Sequence, residues 1–184
     1  MKKYLVIGNP IRHSLSPLIH NHWMKKYHLA DSLYEKRKVE EKDLKNIVEE
    51  IREDKVIGVN ITVPFKKLII PFLDELDSGA EETQSVNTLF KTNNKIVGYN
   101  TDKTGFGDTI REANPQNNES IIPLPLRGKS IFILGAGGVT SSIISALKDE
   151  GADNIILSNR TKEKANKLKK LFPELEVLDW GKRP

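Results

Sequence analysis

Three groups of polar residues stand where the chain otherwise reads as buried strand. Ser14 and Ser16 follow the apolar run YLVIG (4–8). Asn60, Thr62 and Lys66 close the stretch DKVIGVNITVPFK, residues 54–66. Asn87 and the triplet Asn100-Thr101-Asp102 flank a pair of short apolar runs. Singly, each has a plain explanation: Ser16 caps a helix, Asn87 sits in a turn, Lys66 is solvated. In a parallel α/β domain, however, polar groups at the carboxyl ends of strands converge on a ligand crevice. The joint placement of the three groups favours a small-molecule substrate site.

A second chemistry is written in GAGGVT, residues 135–140, which follows a predicted strand and opens a predicted helix. Gly135 allows the tight turn, and Gly137 lets a pyrophosphate approach the backbone. The helix start at Gly138 and Val139 supplies N–H groups and a positive dipole end. Thr140 stands where Gly or Ala is usual, a departure expected to loosen the fit. The next strand ends in Ser158-Asn159-Arg160-Thr161. An NAD site places Asp or Glu there to hold the ribose 2′-hydroxyl. A guanidinium instead holds a 2′-phosphate through paired charged hydrogen bonds. The expected cofactor is therefore NADP(H), bound by Gly135, Ala136, Gly137, Gly138, Val139, Asn159, Arg160 and Thr161. The alternative is that Arg160 is an ordinary exposed side chain at a helix start.

The elements that must carry these groups alternate. Strand 4–8 precedes a helix opened by Ser16 as N-cap and Pro17 at its first position. Ile19, Trp23 and Tyr27 share one face of that helix. A strand at 33–39 is followed by the amphipathic set Leu44, Ile47, Val48 and Ile51, then a strand at 56–61. Pro64 and Pro71 mark short helical turns, and 86–91 with 95–100 form a hairpin through Asn93-Asn94. After a helix at 104–113, NPQNNESIIPLPLRG (114–128) reads as a linker. Strand 130–134, a helix to Lys148, strand 154–158, helix 161–172 and strand 175–178 follow. Repeated βαβ implies a parallel, right-handed α/β sheet. The expected division is a substrate-binding domain (1–103), a connecting helix and linker (104–127), and half of a dinucleotide domain (128–184).

Composition narrows the function classes. The chain has 184 residues, 38% hydrophobic and 29% charged, with no cysteine. Disulfides and thiolate metal sites are excluded, no His/Asp/Glu grouping has metal-site spacing, and a reducing, cytoplasmic setting fits. The N-terminus reads as a strand and not a signal peptide, and no apolar run approaches a membrane span. Residues 160–184 hold eight Lys/Arg against four Asp/Glu, an excess equal to the whole chain's +4. Most of those lysines share one helix face without interleaved aromatics. The excess is a solvated face, not a nucleic-acid surface.

The segments GNPIRHSLSPLIHN, GVNITVPFK, SVNTL, GYNTD, GAGGVT and SNRT occur in the order and spacing of shikimate dehydrogenases, which the chain resembles over its whole length. The resemblance implies an N-terminal α/β substrate-binding domain followed by an incomplete Rossmann-type domain. It implies NADPH-dependent reduction of 3-dehydroshikimate to shikimate, in chorismate and aromatic amino-acid biosynthesis, by a monomer or homodimer. Ser14, Ser16 and Thr62 would hold the substrate carboxylate, and Lys66, Asn87 and Asp102 the ring hydroxyls. Lys66 and Asp102 would be the catalytic pair. A lysine ammonium stabilises the charge that develops on the carbonyl oxygen and delivers the proton. Asp102 would serve as orienting partner or co-acid. His13, beside the serines, is a rival acid/base; His20, His22 and His28 read as structural or exposed residues of the first helix.

Departures from the family pattern lie at Lys103, usually glycine, and at Thr83-Gln84-Ser85, usually small, apolar and glycine-containing. The pattern also continues beyond the position of Pro184, and strand 130–134 is expected to have an open edge. Two further readings therefore stand beside the first: a ligand-binding fragment without turnover, and an NAD-using quinate/shikimate dehydrogenase.

Overall fold

A computed structural model describes residues 1–112 and 126–184; the expected linker lies, as far as residue 125, outside the described residues. By contact the chain divides into two compact units, Met1–Asn100 and Thr101–Pro184.

The first unit contains β1 (Lys2–Gly8), α1 (Ser16–Lys26), β2 (Ser32–Lys38), α2 (Leu44–Arg52) and β3 (Gly58–Ile61). After these come β4 (Glu75–Leu76), α3 (Ser78–Thr83), β5 (Thr88–Thr92) and β6 (Lys95–Tyr99). Its six strands form one sheet in the order β2-β1-β3-β5-β6-β4. β1 runs parallel to both β2 and β3, whereas β5 is antiparallel to β3 and β6. The sheet is thus mixed where repeated βαβ units imply a parallel one. The cause is local: Asn93 and Asn94 both take positive φ (48° and 60°), the conformation a two-residue hairpin turn requires.

Every residue of the α2 stripe Leu44, Ile47, Val48 and Ile51 is buried. They pack with Leu5, Ile7, Val59, Ile61, Phe65 and Leu89 into the first core. The alternation in β3 follows from the same face, with Val59 and Ile61 turned to that core and Gly58 and Asn60 turned away.

The apolar stripe of α1 is not the face that meets the sheet. Ile19, Trp23 and Tyr27 do share a face, but all are exposed, and the helix buries no residue. The residues turned to β2 are His20, Asn21 and Met24. Asn21 brackets Tyr34: its Oδ1 accepts from the Tyr34 N–H at 2.9 Å, and its Nδ2 donates to the Tyr34 carbonyl at 2.8 Å. Met24 joins Val6, Ile11 and Tyr34 in a small cluster. Backbone pairing thus overrides the apolar periodicity, because an edge strand needs partners for its N–H and C=O groups.

The second unit begins with α4 (Thr101–Glu112). It continues through β7 (Ser130–Leu134), α5 (Thr140–Asp149), β8 (Asn154–Ser158), α6 (Lys162–Leu171) and β9 (Glu176–Leu178). Its sheet is parallel throughout, in the order β7-β8-β9. Leu157 on the central strand is fully buried among Ile144, Ala165, Leu168 and Phe172. The lysines of α6 lie opposite its buried Ala165 and Leu168, as a solvated face should. β7 pairs only with β8 among the described residues.

Candidate functional site

The strand directions of the first unit bring its polar groups to one end of the sheet. β1 and β3 finish there; β5 starts there, and β6 finishes there. Thr62 follows β3 directly, and its N–H donates to the Ile7 carbonyl at 3.0 Å. Gly8 is required at this point: a Cβ on it would lie 2.6 Å from the Thr62 methyl. The chain turns after the cis Val63–Pro64 bond, and buried Phe65 anchors the turn in the core. Half-buried Lys66 comes next, its carbonyl accepting from the Val86 N–H at 2.8 Å. That bond ties the lysine segment to the residue preceding Asn87. The Asn87 carbonyl in turn accepts from the Ile61 N–H at 2.8 Å. Thr62, Lys66 and Asn87 are therefore held to one another through backbone.

Ser14 and Ser16 lie on the loop leaving β1. Ser16 is not the N-cap but the first residue of α1; Leu15 occupies the cap without a side-chain bond. Ser14 does the capping instead, its Oγ accepting from the Ser16 N–H at 3.3 Å. Pro17 has no N–H to offer, so the donor nearest the helix start is that of Ser16. Ser14 also borders a cavity of about 580 Å³ whose lining includes Lys25 and Lys36. The Lys36 ammonium is tethered to the Arg12 carbonyl at 2.7 Å. A carboxylate at Ser14 would meet positive charge. His13 is exposed. His20 stacks on Tyr34 with ring centroids 4.2 Å apart, and His28 lies beyond α1 with φ 57°.

Asp102 sits in the first turn of α4, within the second unit. The chain reaches it through Asn100, whose side chain is buried. Its Nδ2 donates to Thr83 Oγ1 and to the Ser85 carbonyl, both at 2.8 Å. Two of the departures from the family pattern thus have a structural job. Thr83 passes its own proton to the Gly79 carbonyl, and Lys103 pairs with Asp149 of α5 at 2.9 Å.

In the second unit, Gly135 has φ 111°, a conformation that excludes side chains. The Ala136 N–H donates to Asn159 Oδ1 at 2.9 Å, while Asn159 Nδ2 donates to the Thr161 carbonyl at 2.7 Å. Asn159 thereby clamps the glycine turn to the loop after β8. Among the described residues nothing takes the N–H groups of Gly137, Gly138 and Val139, and space is open beside both glycines. Thr140 braces the turn from within. It is buried, and its hydroxyl donates to the Gly135 carbonyl at 3.2 Å. Arg160 is exposed, and no carboxylate pairs with it among the described residues. An anion-accepting turn beside an uncommitted guanidinium fits a dinucleotide carrying an extra phosphate. No group of three or more His, Asp or Glu able to hold a metal occurs among the described residues.

The residues missed by sequence reasoning are Tyr34 and Thr88, which hold Asn60 and Asn87 by side-chain hydrogen bonds. Thr88 was signalled by its place directly after Asn87; nothing local marked Tyr34.

A mixed α/β unit with polar strand ends is thus followed by a parallel unit with a Rossmann-type glycine turn. Residues 6–89 match the family described as the shikimate dehydrogenase substrate binding domain, and residues 117–179 that described as shikimate / quinate 5-dehydrogenase. The chain belongs to the shikimate dehydrogenase family. It is 52% identical over 180 residues to the shikimate dehydrogenase (NADP(+)) of Pelagibacter ubique, covering 98% of this chain and 64% of that protein. The crystal structure of shikimate dehydrogenase from Aquifex aeolicus superposes with a TM-score of 0.82 at 42% identity, over 97% of this chain and 62% of that one. The Thermus thermophilus enzyme, solved with NADP(H) and shikimate, gives 0.80 at 30% identity, over 97% and 63%. The chain thus spans somewhat less than two thirds of the length of these relatives.

Proposed function

We propose that the chain catalyses the reversible reduction of 3-dehydroshikimate to shikimate with NADPH. The observation that carries this reading is the backbone tie that holds Thr62, Lys66 and Asn87 at one end of the first sheet. Ser14, Ser16 and Thr62 take the substrate carboxylate; Lys66, Asn87 and Asp102 take the ring oxygens. Lys66 stabilises the developing oxyanion and delivers its proton, and Asp102 orients it. The N–H groups of Gly137, Gly138 and Val139 face the pyrophosphate. Asn159 holds the turn in shape, and Arg160 with Thr161 meets the 2′-phosphate. When bound, NADPH supplies the hydride. The reading goes with a cytoplasmic monomer or homodimer of the shikimate pathway that binds no nucleic acid.

The test follows NADPH oxidation in the presence of 3-dehydroshikimate, for the wild type and for Lys66→Ala. Turnover should fall by roughly 10²- to 10⁴-fold in the variant. Shikimate-dependent thermal stabilisation without wild-type turnover would reduce the chain to a binding protein. Equal rates with NADH would overturn the part given to Arg160.

A further inference from the structure

The polarity of the hydrogen bonds around Asn60 is fixed by one backbone group. The carbonyl of Asn87 can only accept, so the Asn60 atom 3.3 Å from it is the amide nitrogen. That nitrogen's second proton goes to Thr88 Oγ1 at 3.0 Å. The opposite atom, Asn60 Oδ1, then has to accept, and the Tyr34 hydroxyl donates to it at 2.6 Å. Thr88, having accepted from Asn60, has one proton left, and it goes to the side chain of Asn87 at 3.1 Å. The Asn87 atom facing Thr88 is consequently Oδ1, which leaves its Nδ2 turned away from the relay.

We infer that Tyr34 and Thr88 are positioning residues that set the amide of Asn87, so that it meets the ligand as a hydrogen-bond donor. The inference deepens the substrate site proposed above and rests on that reading. Tyr34 is suited to start such a chain. It is 4% exposed, its ring is stacked on His20 with 7° between the planes, and its backbone is bracketed by Asn21 on both sides. Burial also pushes its hydroxyl up to about 12, so it stays protonated and donates at any working pH. Through the Asn87 amide the relay presents an N–H that selects for an oxygen acceptor on the ring, and a hydroxyl or a carbonyl oxygen both satisfy it. A ring bearing a cationic or donor-only substituent at that position is rejected, because Nδ2 and the substituent would both point protons at one another.

Calorimetry with shikimate and the 15N spectrum of the Asn87 side-chain amide test this in the full chain. Tyr34→Phe should weaken shikimate binding roughly threefold and Thr88→Val roughly tenfold, with Thr88→Ser within about twofold of wild type. In turnover the loss should sit in KM, with kcat nearly unchanged, because the contact holds ground state and transition state alike. The Asn87 amide signals should move in Tyr34→Phe and Thr88→Val and return in Thr88→Ser. Unchanged affinity and unchanged amide signals in Tyr34→Phe, which removes one oxygen and leaves the packing, would overturn the relay even if Thr88→Val fails to fold. A wild type that ignores shikimate would sink the substrate assignment instead, while the amide signals still decide the relay.

Discussion

At Thr83-Gln84-Ser85 the chain meets two local penalties. Gln84 sits at the C-terminal cap of α3 with φ 47° and ψ 45°, a left-handed conformation that glycine adopts more cheaply. Ser85 is fully buried, and its hydroxyl has no hydrogen-bond partner among the described residues. Gln84→Gly and Ser85→Ala should therefore each stabilise the fold by about 1 kcal/mol, read as higher midpoints in chemical denaturation. Thr83 behaves in the opposite sense. It accepts from buried Asn100 and donates to the Gly79 carbonyl, so Thr83→Val removes the acceptor of a buried amide proton and should cost about 1–3 kcal/mol. The three neighbours thus separate into two that strain the cap and one that anchors the strand end leading to Asp102.

Among the elements, the short β4 depends on an ion pair as well as on packing. Asp74, just before it, accepts from Arg52 at 3.0 and 3.1 Å and from the Ile96 N–H at 2.7 Å. These bonds, the Arg52 one first, hold its carboxyl below the ordinary value. A depressed folded-state value means that the stabilisation is complete above the unfolded carboxyl's pKa. It is lost as pH falls through the folded one. Asp74→Asn should cost about 0.5–1 kcal/mol at pH 7, since both side chains are about a third exposed. The gap from wild type should close below about pH 4 in urea titrations. β4 also shows where sequence reading stops. Its two residues carry no period, and α3 has only six, so neither has a pattern longer than noise. By contrast β7 and β8 have the predicted bounds, because a continuous apolar run flanked by turn residues leaves little choice. The types of residue at the strand ends were legible for the same reason. The Tyr34–Asn60 bond joins residues 26 apart through the register of three strands, and no local pattern encodes it.

The two units each have a core of their own, one around Leu5, Ile51 and Leu89 and one around Leu157 and Phe172. Unfolding should accordingly depart from two-state behaviour, with calorimetric and van't Hoff enthalpies that disagree. If the proposed function holds, NADP(H) should raise the transition of the second unit and shikimate chiefly that of the first, by mass action on the folded state. A single transition shifted equally by both ligands would show the cores to be coupled. The backward run of β5 reaches further than the site. It carries the hairpin tip, exposed Asn93-Asn94, to the end of the sheet away from Asn87. The separation is roughly 15–20 Å at strand rise. A peptide tag or fluorescent reporter spliced between those two asparagines would hang from a rigid stalk and leave the ligand end untouched. The hairpin thus offers a grafting port in the middle of the substrate-binding fold.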